Sequence, residues 1–265
     1  MVFDPMGTIA LVTGASSGLG EQFAQALAQR GADLVLVARR EERLAALAAE
    51  LTRKFGTVCT VIPLDLSRPD ATARLVADLD ARGIRISTLV NNAGFGNHGR
   101  FADLDPGRIQ DEIQVNVSSL VALTRAFLPA LLADGRGALV NVASTAAFQP
   151  IPRMAVYGAT KAFVLSFTEA IAWESRHSGL KVLALGPGPT ATEFIDVAQN
   201  GDAIFGRLES AERVVDTAFR ALDRRRTPAS IVSGIQNLAQ TVALRLAPRA
   251  LVLQIVGRGG ESKRR

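Results

Sequence analysis

Two hydrophobic rhythms alternate along this chain. Short, nearly continuous apolar runs lie at residues 9–12, 34–37, 58–64, 88–91, 138–142 and 182–185. Between them, apolar positions recur with helical period over residues 20–29, 41–54, 69–81, 109–132 and 156–176. Runs without a polar face suit strands buried on both sides. Strand alternating with helix predicts repeated βαβ units and a parallel sheet. Right-handed crossovers then place helices on both faces. The expected fold class is α/β: a doubly wound parallel sheet in three α/β/α layers, one domain, with a ligand crevice at the carboxyl ends of the strands.

The last stretch breaks this rhythm. Residues 1–233 read as the sheet domain and 234–265 as an amphipathic extension. In it Leu238, Val242, Leu246, Leu251, Leu253 and Val256 recur, with Pro248 interrupting. Proline ends a helix, so two short helices are predicted, packed on the same domain or on a partner subunit. A substrate lid or a membrane-surface contact is the alternative.

A chain of 265 residues can bury one substantial core. No eighteen-residue uninterrupted apolar stretch occurs, so no spanning helix is expected. The first residues carry no basic segment followed by an apolar run, which argues against a secretory leader. One cysteine, Cys59, cannot form an internal disulfide, and with two histidines it makes a poor metal set. A cytoplasmic setting without a metal is expected. The net charge of +5 is spread out, apart from Arg224-Arg225-Arg226 and Lys263-Arg264-Arg265. This suits a solvated surface rather than nucleic-acid binding, and it tolerates an anionic cofactor.

Chemistry-bearing residues cluster just after the apolar runs. The first run leads into Thr13-Gly14-Ala15-Ser16-Ser17-Gly18-Leu19-Gly20, which opens a helix. Glycines permit positive φ and close backbone approach, and a helix N-terminus offers free N–H groups to a pyrophosphate. Ser16 and Ser17 add hydroxyl donors. The second run ends in Ala38-Arg39-Arg40. An acidic residue there would hold the ribose hydroxyls of NAD, whereas guanidinium groups fit the 2′-phosphate of NADP. Arg39 and Arg40 also suit the solvated start of the next helix.

Tyr157 and Lys161 stand four residues apart near a helix start, hence on one face. A phenol ionises near pH 10, so acid/base work near neutrality asks for a pKa lower by roughly three, about 4 kcal/mol of phenolate stabilisation. A neighbouring ammonium can contribute. Ser144 follows the strand at 138–142, where its hydroxyl can hold a substrate oxygen. Asn116 interrupts a helix, suggesting local bending or water binding; a capped or solvent-facing amide is the plainer reading. Asn91-Asn92-Ala93-Gly94 ends the fourth run. Its small residues allow backbone approach to a cofactor ribose, and Asn92 equally suits a strand-tying role.

Taken together, these motifs resemble the short-chain dehydrogenase/reductase family: Thr13-Gly14-xxx-Gly18-x-Gly20, Asn91-Asn92-Ala93-Gly94, Asn116, Ser144 and Tyr157-xxx-Lys161 stand in the family's order. Pro187-Gly188-Pro189-Thr190-Ala191-Thr192 is similar to its proline-glycine segment, with Thr190 where an aliphatic residue is usual. The resemblance runs from about Thr8 to Thr192. It implies a Rossmann fold and an NADP(H)-dependent oxidoreductase interconverting a carbonyl and an alcohol, assembled as a homodimer or homotetramer. Tyr157 would be the general acid/base. Lys161 would lower its pKa and hold the nicotinamide ribose. Ser144 would orient the substrate, and Asn116 would hold a relay water. Asp65, with Leu66, would meet the adenine, and Thr192 the carboxamide. Arg39 matches the basic residue of NADP-using members, while Ser17 stands where a second basic residue is often found.

The expected substrate walls are Phe95, Phe148, Ile151, Met154, Phe194, Ile195 and Phe205, with His98 and Arg153 as polar contacts. Such an inventory favours a hydrophobic small-molecule carbonyl or alcohol over a charged sugar. The rival expectations are an NAD-specific alcohol dehydrogenase, a non-catalytic dinucleotide-binding redox sensor, and a membrane-associated lipid reductase.

Overall fold

Strand β1 (Ile9–Thr13) sends Ala10 and Val12 to one side of the sheet and Leu11 to the other, and every side chain is buried from Ala10 onward. Strand β2 (Asp33–Ala38) repeats this, with Leu34 and Leu36 opposite Val35 and Val37. This two-sided burial is why the strands read as unbroken apolar runs. The computed structural model describes residues 2–193 and 208–261. The other strands are β3 (Cys59–Pro63), β4 (Thr88–Asn91), β5 (Ala138–Val142), β6 (Lys181–Gly186) and β7 (Ser230–Val232). They form one parallel sheet in the order β3-β2-β1-β4-β5-β6-β7. The order reverses between β1 and β4, which opens the crevice expected of a doubly wound sheet.

On one face lie α1 (Gly18–Gln29), α2 (Glu41–Phe55) and α7 (Ala211–Leu222), joined through Phe23, Leu27, Leu44, Leu51, Val214 and Phe219. On the other lie α3 (Ala71–Ala81), α5 (Leu120–Asp134) and α6 (Ala155–Glu174), around Leu75, Leu79, Leu123 and Leu131. Helix α7 begins at Ser210, whose hydroxyl accepts from Arg213 N, an N-cap worth about 1 kcal/mol.

One predicted element differs in form. The helix expected over 109–132 starts earlier, as α4 (Pro106–Ile113), because Asp105 caps it and Pro106 suits its first turn. It then widens into a π-helical turn, Gln114–Ser119, before α5. The continuous run Pro106–Asp134 has the length and composition of a membrane span. Its Leu120, Leu123 and Leu131 are buried in the core instead. The extension forms α8 (Ile235–Leu246) and α9 (Arg249–Glu261), parted at Pro248 as expected.

Candidate active site

The ends of β1 and β4 are lashed together at the switch point. Thr13 Oγ1 donates to Val90 O (3.3 Å) and accepts from Asn92 N (2.9 Å) and Ala93 N (3.0 Å). Asn92 Nδ2 donates to Thr13 O (3.0 Å) and Gly14 O (3.3 Å). Asn92 therefore serves the strand-tying role. The turn between β1 and α1 bends through Gly14 and Gly18, at φ +66° and +59°, where side chains are strained. Ser17 precedes α1 in extended conformation and its side chain caps nothing in the helix. The first-turn N–H groups thus have no side-chain acceptor and suit an anion.

Gly14, Ser16, Ser17, Gly18 and Leu19 line the cleft with Arg39, Arg40, Asp65, Leu66, Asn92, Ala93 and Gly94. Gly20 does not. A Cβ there would stand 2.2 Å from Gly14 O and 2.6 Å from Asn92 Nδ2. Gly20, expected as a cofactor contact, is thus the residue that lets helix and strand approach.

Arg40 folds over the turn, donating to Ser16 Oγ (3.1 Å), Ser17 Oγ (2.9 Å) and Glu193 Oε2 (2.8 Å). Arg43 also pairs with Glu193, and the two guanidinium groups hold that carboxyl down at about 2. Arg39 lines the same cleft and makes no ion pair or hydrogen bond among the described residues. Thr192 packs on Gly18, its Cβ 3.0 Å from where a glycine Cβ would lie. Pro187, Gly188, Thr190 and Thr192 complete this wall. The free helix terminus, the hydroxyl pair and the arginines fit a phosphorylated dinucleotide.

Ser144, Tyr157 and Lys161, expected to be catalytic, meet where β5 ends. Ser144 leads out of β5 and accepts from Ala146 N at 3.1 Å. Tyr157 and Lys161 stand on the first turns of α6, 9% and 5% exposed. Ser144 is hydrogen-bonded to the Tyr157 phenol. Lys161 Nζ donates to Val142 O at 2.7 Å and lies 5.8 Å from the Tyr157 ring centroid. Buried amides hold the framework: Asn91 Nδ2 donates to Asn141 Oδ1 (2.9 Å) and Asn141 Nδ2 to Thr168 Oγ1 (2.9 Å), joining β4, β5 and α6.

Burial governs the electrostatics here. It pushes the Tyr157 phenol up to about 12; Ser144 pulls down and Glu112 pushes up. Burial also brings the Lys161 ammonium down to about 8, against the pull of Glu112. The expectation that Lys161 depresses the phenol is not met by the protein alone. The ammonium turns toward a carbonyl, and desolvation of the phenolate outweighs it.

Asn116 is 1% exposed and does not line the cleft. Its Oδ1 accepts from Phe95 N (3.1 Å), while Nδ2 donates to Phe95 O (2.8 Å) and Thr160 Oγ1 (3.1 Å). The π-helical turn aims this amide at the loop after β4, so the solvent-facing reading is corrected.

Phe95, His98, Ile151, Arg153 and Met154, expected to meet substrate, line a cleft of about 810 Å³. Phe148 does not. It packs with Leu120, Val164, Leu165 and Ala184, and Arg245 lies 4.8 Å from its ring centroid. An apolar neighbourhood off the cleft thus takes a residue expected to touch substrate. Phe194, Ile195 and Phe205 lie outside the described residues. The extension, for which a substrate lid was one of the alternative readings, supplies a further wall: Asn237, Gln240, Thr241 and Leu244 of α8 and Val256 of α9. Of these only Val256 was among the apolar positions read from the extension. Asn141 and Glu112 were also missed; an amide inside an apolar strand was the one available signal for the first.

Residues 8–202 match the family model described as short chain dehydrogenase. The chain is 39% identical over 199 residues to sulfoacetaldehyde reductase 2 of Chromohalobacter salexigens, spanning 74% of this chain and 78% of that one. A short-chain dehydrogenase from Sphingobium yanoikuyae in complex with NADPH superposes with a TM-score of 0.79 and 37% identity, covering 92% and 94% of the two chains. A 7beta-hydroxysteroid dehydrogenase structure superposes with a TM-score of 0.86 at 27% identity, covering 97% of this chain and 100% of that one. A phosphate turn, a strand-end serine and a tyrosine–lysine helix brought to one crevice are what such a match requires, and the chain belongs to the short-chain dehydrogenase/reductase family.

Proposed function

We propose that this oxidoreductase interconverts a hydrophobic ketone or aldehyde with its alcohol, using NADP(H). The observation that carries the reading is the Ser144–Tyr157–Lys161 cluster, with Tyr157 and Lys161 buried, in a cleft whose other end holds the phosphate turn. Bound at that turn, the nicotinamide cofactor would supply or accept the hydride. Tyr157 is protonated across the neutral range, since its phenol sits near 12, so it is ready to donate to a nascent alkoxide. Ser144 holds the same oxygen by hydrogen bond. Lys161 keeps a positive charge below about 8 beside the pair. Alcohol oxidation requires the opposite proton transfer and rises with pH. Asn116 acts by fixing the loop at Phe95, and a relay water there remains what the family resemblance implies.

Arg40, with Ser16 and Ser17, supports NADP over NAD, because a guanidinium and two hydroxyls suit a 2′-phosphate. The NADPH complex of the Sphingobium relative supports the same reading. Phe95, Ile151, Met154, Leu244 and Val256 support an apolar substrate. So does the likeness to a 7beta-hydroxysteroid dehydrogenase, which extends over the C-terminal helices. The reductase relative is named for a small anionic aldehyde instead. A panel of alicyclic ketones, aromatic ketones and sulfoacetaldehyde, each with NADPH and NADH, decides between them. The expected result is kcat/KM at least about tenfold higher for a bulky ketone and for NADPH, the equivalent of about 1.4 kcal/mol. A preference for sulfoacetaldehyde or for NADH overturns the corresponding half of the reading.

A further inference from the structure

Glu112 is a carboxylate with no access to solvent, on the last turn of α4. Its Oε2 accepts from Asn97 N (3.2 Å) and Asn97 Nδ2 (2.7 Å). Its Oε1 is buried and has no hydrogen-bond partner among the described residues. Four residues on, Asn116 accepts from Phe95 N and donates to Phe95 O. One helical face thus holds two alternate residues of a single loop.

That loop lies on the catalytic pair. A Cβ on Gly94 would stand 3.4 Å from Lys161 Nζ, and a Cβ on Gly96 2.9 Å from Tyr157 Cδ2. Neither glycine leaves space between loop and catalyst. The charged and titratable groups that act on Glu112 or feel its charge are Arg108 on α4 and Tyr157 and Lys161 on α6; Asp111, His98 and Arg153 line the nearby cleft. Arg108 is committed to Asn97, donating to its Oδ1 at 3.0 Å.

Isolated buried charge is costly, and an unpartnered carboxylate oxygen adds to that cost. Apolar residues could cap the same helix turn. We propose that Glu112 is a positioning residue of the active site: it bolts residues 94–97 onto Tyr157 and Lys161 and supplies the negative charge that balances the buried ammonium. This rests on the acid/base reading of Tyr157. Burial raises the carboxyl's own pKa, while Lys161 and Arg108 favour its ionised form. Its charge in turn raises the pKa of both Tyr157 and Lys161.

Tyr157 is the only tyrosine in the chain, so phenolate absorbance reports this one group. The test is a rapid pH jump on the full-length, substrate-free protein, read before alkaline unfolding. Glu112→Gln keeps the shape and the acceptor for Asn97 but removes the charge. Its phenolate midpoint is expected to fall by about half a pH unit or more. A midpoint that is unchanged or raised overturns the proposal. Glu112→Asp keeps the charge and shortens the reach. It is expected to hold the wild-type midpoint while the carbonyl substrate's KM rises at least about threefold through the loosened loop. A lowered midpoint or an unchanged KM in that variant overturns the proposal even where Glu112→Gln does not fold. The phenol titration needs no turnover, so its failure is separable from failure of the catalytic assignment, which Tyr157→Phe addresses.

Discussion

The ammonium of Lys161 donates to the carbonyl oxygen of Val142 at 2.7 Å, at the wall of the cleft. One hydrogen bond does not offset its burial, and its pKa drops to about 8. In the unfolded chain lysine ionises near 10.4. Between these values the unfolded chain binds more protons, so the Lys161 contribution to stability grows as pH rises and is lost as pH falls through 8. Lys161→Met removes this slope. Thermal unfolding of the cofactor-free proteins should show the wild type gaining on the variant from pH 8 to 10. Parallel curves would contradict the buried-ammonium account. Tyr157, with its raised pKa, acts in the opposite direction above pH 10 in both proteins.

Arg40 joins Ser16, Ser17 and Glu193 across the phosphate turn. An exposed ion pair stabilises little, so a phosphate can displace Glu193 from this guanidinium. Arg40→Ala should raise KM for NADPH about tenfold or more and leave KM for NADH within about twofold. Equal losses with both cofactors would remove Arg40 from the 2′-phosphate site.

Two glycines should fail in different ways. Gly20→Ala drives a methyl toward Gly14 O, which belongs to the backbone and cannot yield. The expected result is a lower melting temperature, by more than 1 kcal/mol-equivalent, roughly 2–4 °C for a domain of this size. Gly96→Ala meets Tyr157 and Met154 side chains instead. It should cut kcat while NADPH binding, followed by fluorescence quenching, stays near wild type. Reversed phenotypes would contradict the roles given to these positions.

Phe148 belongs to the packing around Leu165 and Ala184. Phe148→Ala should cost about 1–3 kcal/mol in chemical denaturation, less than a fully buried phenylalanine. The KM for a ketone should stay within about twofold, whereas Met154→Ala, at the cleft wall, should shift it further. A large KM change at Phe148 would restore it to the substrate site.

Much of this architecture was written in local pattern. The strands at 88–91 and 138–142 match the observed ones residue for residue, because both are buried throughout and read as compact, mostly apolar runs. Strand β7 escaped because three residues, Ser230–Val232, are too few to show a period. The π-helical turn escaped because its apolar spacing differs from that of an α-helix by a single residue, though Asn116 marked the place. The phosphate turn and the tyrosine–lysine pair were legible since each is a contiguous motif. Glu112, Asn141 and Glu193 were not, because each acts on a partner supplied by another element. The fate of Phe148 was equally hidden: an aromatic in a loop has the same sequence signal whether it faces cleft or core.

The central claim is that Tyr157 passes the proton during hydride transfer. Tyr157→Phe keeps the ring that packs against Gly96 and removes only the hydroxyl. The decisive measurement is single-turnover oxidation of NADPH by the best ketone, comparing this variant with wild type at saturating cofactor. The account predicts cofactor affinity within about twofold and a rate lowered by about 10²–10⁴. A variant that oxidises NADPH at the wild-type rate would contradict it.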